Sequence, residues 1–233
     1  MSVTPGETPA PPAPSSAHPT QDVPVAVRVQ LLATEHWSLL ATRSMTWSEV
    51  MSRISIHLTV LSASLVVLAL VAQASGFGTP FRVLAIGLAS MVLVLGVLTG
   101  VRVTSASLDD HALLVGMNRI RAAYVEIDPS LADHLVTGWH DDIDGIMRTY
   151  TMGAARPVPV HVLGSTNFFM TAVNSLVAGT LGALVASAAG AGPALVAVVG
   201  AAAGLGFLVV VSSISRRTFA TPPIAARFPT PRP

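Results

Sequence analysis

Residues 54–81, ISIHLTVLSASLVVLALVAQASGFGTPF, contain no Asp, Glu, Lys or Arg. The same holds for residues 83–101 and for residues 157–215. A bilayer core is about 30 Å thick and takes roughly 20 apolar residues per helical span. The first two stretches therefore carry one span each, over 54–74 and 83–103, with Gly76, Gly78 and Pro80 as the turn between them. The third carries two, over 168–189 and 193–213, with Gly190-Ala191-Gly192-Pro193 as the break. This pattern predicts an all-α polytopic membrane protein with four transmembrane helices arranged as two hairpins.

Composition agrees. Of the 233 residues, 52% are hydrophobic and 11% charged, against about 25% charged in soluble domains. A net charge of +1 leaves no basic footprint for nucleic acid. With no cysteine, disulfides, thiolate metal sites and thiol nucleophiles are excluded. All thirteen basic residues are arginine, so no Walker-type lysine exists. No HExxH, nucleophile–base set or catalytic carboxylate pair is legible. The expectation is a non-enzymatic protein without a cofactor.

The arginines indicate sidedness. Arg28, Arg43 and Arg53 precede the first span. Arg102, Arg119, Arg121, Arg148 and Arg156 lie between the second and third. Arg216, Arg217, Arg227 and Arg232 follow the fourth, and Arg82 alone falls in a hairpin turn. Basic residues stay on the cytoplasmic side. Both termini and the central segment are thus expected in the cytoplasm.

The expected organisation follows. Residues 1–24, with seven prolines, read as a disordered tail. Residues 25–52 read as a cytoplasmic amphipathic helix. It either packs on a cytoplasmic bundle or lies on the membrane with Trp37 or Trp47 as anchor, and it either runs into the first span or bends near Ser44. Residues 53–103 form the first hairpin, 104–166 a cytoplasmic helical segment, 167–214 the second hairpin, and 215–233 a proline-rich disordered tail. Within 104–166, Ser107 and Asp110 resemble a helix start. A helix over 108–126 is expected to turn Leu113, Leu114, Met117, Ile120 and Tyr124 to one face. Asp128-Pro129 caps a second, over 129–150, with Leu131, Leu135, Trp139, Ile143, Ile146 and Tyr150 as its stripe. With the N-terminal helix they make a small cytoplasmic helical bundle.

Candidate functional residues fall in three groups. Polar side chains inside a bilayer are costly and carry a functional hypothesis; His57 and Asn174 are the two such positions. Small residues four apart allow close helix approach in lipid, which marks Gly96 and Gly100, Gly179 with Ser175 and Ala183, and Gly200 with Gly204. In the central segment Arg119 and Arg121 could hold a phosphate. On the predicted helix, His134, Asp141 and Asp144 share part of a face, a weak divalent-ion arrangement. The bland reading of the same residues is a solvated face with an Asp144–Arg148 pair. Trp139 completes the candidate interaction surface of Arg119, Arg121, Asp141 and Asp144.

Thr34-Glu35-His36-Trp37 before the first span and residues 116–124, GMNRIRAAY, after the second give the chain a feature order that resembles small four-span bacterial membrane proteins of unassigned function. In outline, residues 30–150 are also similar to membrane effector modules of prokaryotic defence systems, which implies a protein that perturbs membranes when triggered. Two functions are therefore expected. One is an oligomeric pore or membrane effector gated by cytoplasmic helices. The other is a membrane-anchored interaction or scaffold protein whose cytoplasmic helices dock a partner. The partners they imply are the lipid bilayer, further copies of the chain, and a cytoplasmic protein.

Overall fold

The structure, a computed structural model, describes residues 23–152, 158–219 and 224–231. Its helices are α1 (Val25–Ser75), α2 (Thr79–Ile127), a 3-10 helix (Pro129–His134), α3 (Ile143–Tyr150), α4 (Val158–Leu163), α5 (Thr166–Ala188) and α6 (Pro193–Phe219). No strand occurs among the described residues. Four of the helices, α1, α2, α5 and α6, are long and apolar enough to cross a membrane. The expected N-terminal tail lies outside the described residues but for its last two.

The first two helices are longer than their spans. Val25–Ser75 is one helix of 51 residues, so residues 25–52 continue into the first apolar stretch without a break. No Pro or Gly interrupts it. It stops at Gly76, whose φ of 65° a side-chain-bearing residue would resist. Thr79–Ile127 runs for 49 residues, and this overturns the expected helix start at Ser107. The Ser107 hydroxyl donates to the Val103 carbonyl at 2.9 Å instead of capping a free N–H. An Asp or Ser acts as a cap only where the backbone turns, and here a continuous buried stripe keeps α2 running. That stripe is Val92, Gly96, Thr99, Val103, Ala106, Asp110, Leu114 and Met117. Its members lie three or four apart, the period of a helix–helix seam.

The opposing stripe on α1 includes Val50, Ile54, His57 and Ser64. The two helices run antiparallel along their length. Arg28 pairs with Glu126 at 3.9 Å at one end. Leu39 covers Gly116, Arg102 meets Glu49 at 2.6 Å, and His57 lies against Gly96. From α5, Met170 enters the core of Val50, Ile54, Val103 and Ala106. α6 packs on α5, after a break at Gly190 with φ of 81°.

The helix expected over 129–150 does not form. Asp128 does cap, accepting from the Ser130 amide, but it opens a 3-10 turn. α3 starts afresh at Asp142, whose carboxylate accepts from the Gly145 amide at 2.9 Å. Between them the chain folds back on α3. A Cβ on Gly145 would collide with the His140 carbonyl, and one on Gly138 would come within 2.6 Å of the Gly145 carbonyl. Those two glycines permit a contact that a straight helix would forbid. The supposed stripe splits accordingly: Ile146 is buried, whereas Ile143 and Leu131 are exposed.

The C-terminal tail corrects another expectation. Residues 224–231 are ordered against the molecule, with Ile224 packed on the cluster of Leu114, Val115, Met117 and Ile146. Residues 220–223 and 232–233 lie outside the described residues.

Candidate functional site

Asp110 is 1% exposed, and a buried carboxylate must be hydrogen-bonded to be tolerated. Arg43 Nε donates to its Oδ1 at 2.6 Å, and Trp47 Nε1 donates to the same oxygen at 2.9 Å. The Tyr150 hydroxyl donates to Oδ2 at 2.7 Å. One side chain thus ties α1, α2 and α3 together. Burial first, then the charge of Asp110 and its hydrogen bond, push the Tyr150 hydroxyl well above its ordinary pKa. The phenol therefore remains a donor at physiological pH.

Two turns further along α2, Asn118 is fully buried. Its Nδ2 donates to the His140 carbonyl at 2.7 Å. Its Oδ1 accepts from Arg121 Nη1 at 2.8 Å and from the Thr149 hydroxyl at 3.0 Å. This amide fixes the 138–142 loop and so presents Asp141 and Asp142 at the edge of the helices.

The C-terminal segment lies on those two carboxylates. Asp141 Oδ1 accepts from the Phe228 amide at 2.7 Å, and its oxygens accept from the Arg227 amide at 2.9 and 3.0 Å. The Asp141 amide returns a bond to the Phe228 carbonyl at 3.1 Å. Arg119 completes the clasp, with Nε donating to Asp141 Oδ2 and Nη2 to the Ala225 carbonyl, both at 2.7 Å. Asp142 accepts from the Thr230 amide at 2.7 Å and from its hydroxyl at 2.8 Å. Burial would raise the Asp141 carboxyl. The bonds from the Arg227 amide, Arg119 and the Phe228 amide outweigh it and hold the group below its ordinary value. Asp142 behaves alike: burial raises it, and bonds from Gly145 and Thr230 lower it by more. The arrangement grips a peptide backbone.

Within the apolar stretches, His57 and Asn174 meet over Gly96. A Cβ on Gly96 would come within 2.9 Å of His57 Cε1 and would collide with the Asn174 amide. Both side chains are 2% exposed. Neither ring nitrogen of His57 nor Asn174 Oδ1 has a hydrogen-bond partner among the described residues. A half-turn of the imidazole exchanges Cε1 for Nε2 and would set a nitrogen beside the amide.

The glycines expected to pack do so in two places. Gly100 lies near Asn174, as Gly96 does. Gly179, Gly200 and Gly204 join α5 to α6: a Cβ on Gly179 or Gly200 would come within 3.0 Å of the other's carbonyl, and one on Gly204 within 2.9 Å of the Ser175 carbonyl. Beside this seam runs an open groove of about 620 Å³, lined by Phe168, Leu176, Gly179, Gly204 and Leu208.

Of the candidate surface residues, Arg119 and Asp141 come together and Arg121 turns to Asn118. Trp139 is half-buried, its ring 5.2 Å from that of His140. Asp144 is exposed on α3, and the Asp144–Arg148 ion pair does not form. His134, Asp141 and Asp144 belong to three different pieces of chain, and no cluster of three metal-capable side chains exists among the described residues. Asp110, Asn118 and Asp142 were missed. Asp110 carried a signal, since it stands in register with the apolar stripe of α2. The tail's contacts carried none.

Compared with protein-family models, with curated proteins and with solved structures, the chain matches none.

Proposed function

We propose that this is a non-enzymatic, membrane-anchored docking protein of a bacterial cytoplasmic membrane. Two helical hairpins hold it in the bilayer. The N-terminal half of α1, the C-terminal half of α2, α3 and residues 224–231 form a cytoplasmic bundle that presents the docking face. The arginine distribution supports that sidedness. The observation that carries the reading is the Asp141–Asp142–Arg119 clasp. Its carboxylates and guanidinium bind main-chain groups of residues 225–230, and buried Asn118 holds the loop that carries the carboxylates.

The second reading is an oligomeric pore or membrane effector. It rests on the unpartnered polar atoms of His57 and Asn174 and on the groove along α5 and α6, where a further copy could pack. Ion flux from liposomes containing the purified chain decides between the two. The docking reading expects no flux from correctly inserted protein. Flux that disappears in Gly179→Leu replaces it with the pore reading.

A further inference from the structure

The bonds between residues 224–231 and the clasp run mainly through the backbone of the segment. Arg227 and Phe228 offer consecutive backbone N–H groups to one carboxylate, the concave donor pair that proteins use to hold anions. The Phe228 carbonyl receives the Asp141 amide in return, and Ala225 gives its carbonyl to Arg119. Among the described residues the Arg227 side chain makes no hydrogen bond or ion pair, and the Thr230 hydroxyl on Asp142 is the one side-chain polar contact of the segment. Ile224 adds one apolar anchor. A site that reads backbone, one hydroxyl and one apolar side chain fits many sequences.

We propose that the Asp141–Asp142–Arg119 clasp is a peptide-binding site, that residues 224–231 fill it as a displaceable internal ligand, and that its partner is an irregular, proline-flanked segment of another protein with the same pattern. That pattern is an apolar residue, then a bend with two free N–H groups, then a Thr or Ser two residues beyond it. The proposal deepens the docking reading and rests on it. Occupation in cis has a direct consequence: a tethered ligand acts at a high effective concentration, so the untouched protein binds a competing peptide weakly. Release of the tail opens the site.

The test uses the full chain in nanodiscs and a fluorescent synthetic peptide of residues 223–231, PIAARFPTP. Arg227→Pro with Phe228→Pro removes the two N–H groups from the tail and leaves the clasp intact. This variant should bind the peptide at least tenfold more tightly than the unaltered chain, and adding Asp141→Asn should abolish the gain. A parallel measurement needs no variant: millimolar peptide should speed hydrogen exchange at the Phe228 and Thr230 amides of the unaltered chain at least tenfold. If the peptide leaves exchange unchanged and the double variant binds it no better, the segment is a fixed part of the fold and the proposal fails. A dimer that dissociates on Arg227→Pro would also overturn it, in favour of tails exchanged between copies. These readouts are independent of ion flux. Flux would remove the docking reading while peptide binding still decided what the clasp holds.

Discussion

Trp47 donates its indole N–H to Asp110 at 2.9 Å, a bond between α1 and α2 at the point where a carboxylate stands in the buried stripe of α2. Arg43 lies one turn before Trp47 and reaches the same oxygen. Removing one member of a buried ion pair strands the other and costs about 3–5 kcal/mol. Arg43→Ala strands a carboxylate that is 1% exposed and should therefore lower the melting temperature in detergent more than Asp110→Ala, which strands a guanidinium that is partly exposed and can rehydrate. A smaller loss from Arg43→Ala than from Asp110→Ala would show that the arginine does not compensate the buried charge.

At Gly96 the side chains of His57 from α1 and Asn174 from α5 both press on α2. Gly96→Ala should destabilise by about 1–3 kcal/mol through overpacking. Most of that penalty should vanish in the Asn174→Ala background, a coupling within the usual range of about 0.5–3 kcal/mol for touching residues. A double-variant cycle of thermal melts measures it, and strict additivity would refute the contact.

Acid should free the C-terminal segment. Both Asp141 and Asp142 have carboxyl groups held below their ordinary value of 3.8. A lowered folded-state pKa gives a contribution that is complete above 3.8 and fades as pH falls through the lower folded value. Exchange at the Phe228 and Thr230 amides, corrected for intrinsic rate, should stay slow at neutral pH and accelerate only below that value. Asp141→Asn should show fast exchange already at neutral pH.

The α5–α6 seam predicts a size limit. Gly179→Leu should push α6 off α5, since even a first carbon there reaches the Gly200 carbonyl at 3.0 Å. The melting temperature in detergent should fall in that variant. Gly206→Leu, with open space around it, should leave it unchanged.

Because the chain has no cysteine of its own, sidedness is directly measurable. Gly192→Cys should react with an impermeant maleimide on intact cells. Ala226→Cys should react only after permeabilisation.

How much of this was legible beforehand depends on the range of the interaction concerned. Apolar length is a local property, so the cores of α1, α2, α5 and α6 could be read directly, as could the Gly190 break. The continuity of α2 through Ser107 could not, because Ser107 and Asp110 have the same local chemistry whether they cap a helix or sit inside one. Only the partner on α1 decides. The 129–150 segment failed for a related reason. Its apolar spacing suits a helix, but Gly138 and Gly145 allow a backbone contact that overrides periodicity. His57, Gly96 and Asn174 were each picked out singly, yet nothing local told that they share one point. The tail looked disordered by composition, and its order comes from carboxylates far away in sequence.

The unbroken course of α1 has a mechanical meaning. At 1.5 Å per residue, the part of α1 preceding its first apolar stretch extends roughly 40 Å beyond it. Such a rod is a lever with its fulcrum in the bilayer. Helix tilt varies with membrane thickness, and a tilt of about 10° would swing the far end by about 7 Å. Trp47 lies about 10 Å beyond the apolar stretch on that rod and, through Asp110 and Tyr150, ties it to α3 beside the clasp, so thinning or thickening of the membrane would be felt there as a displacement of about 2 Å.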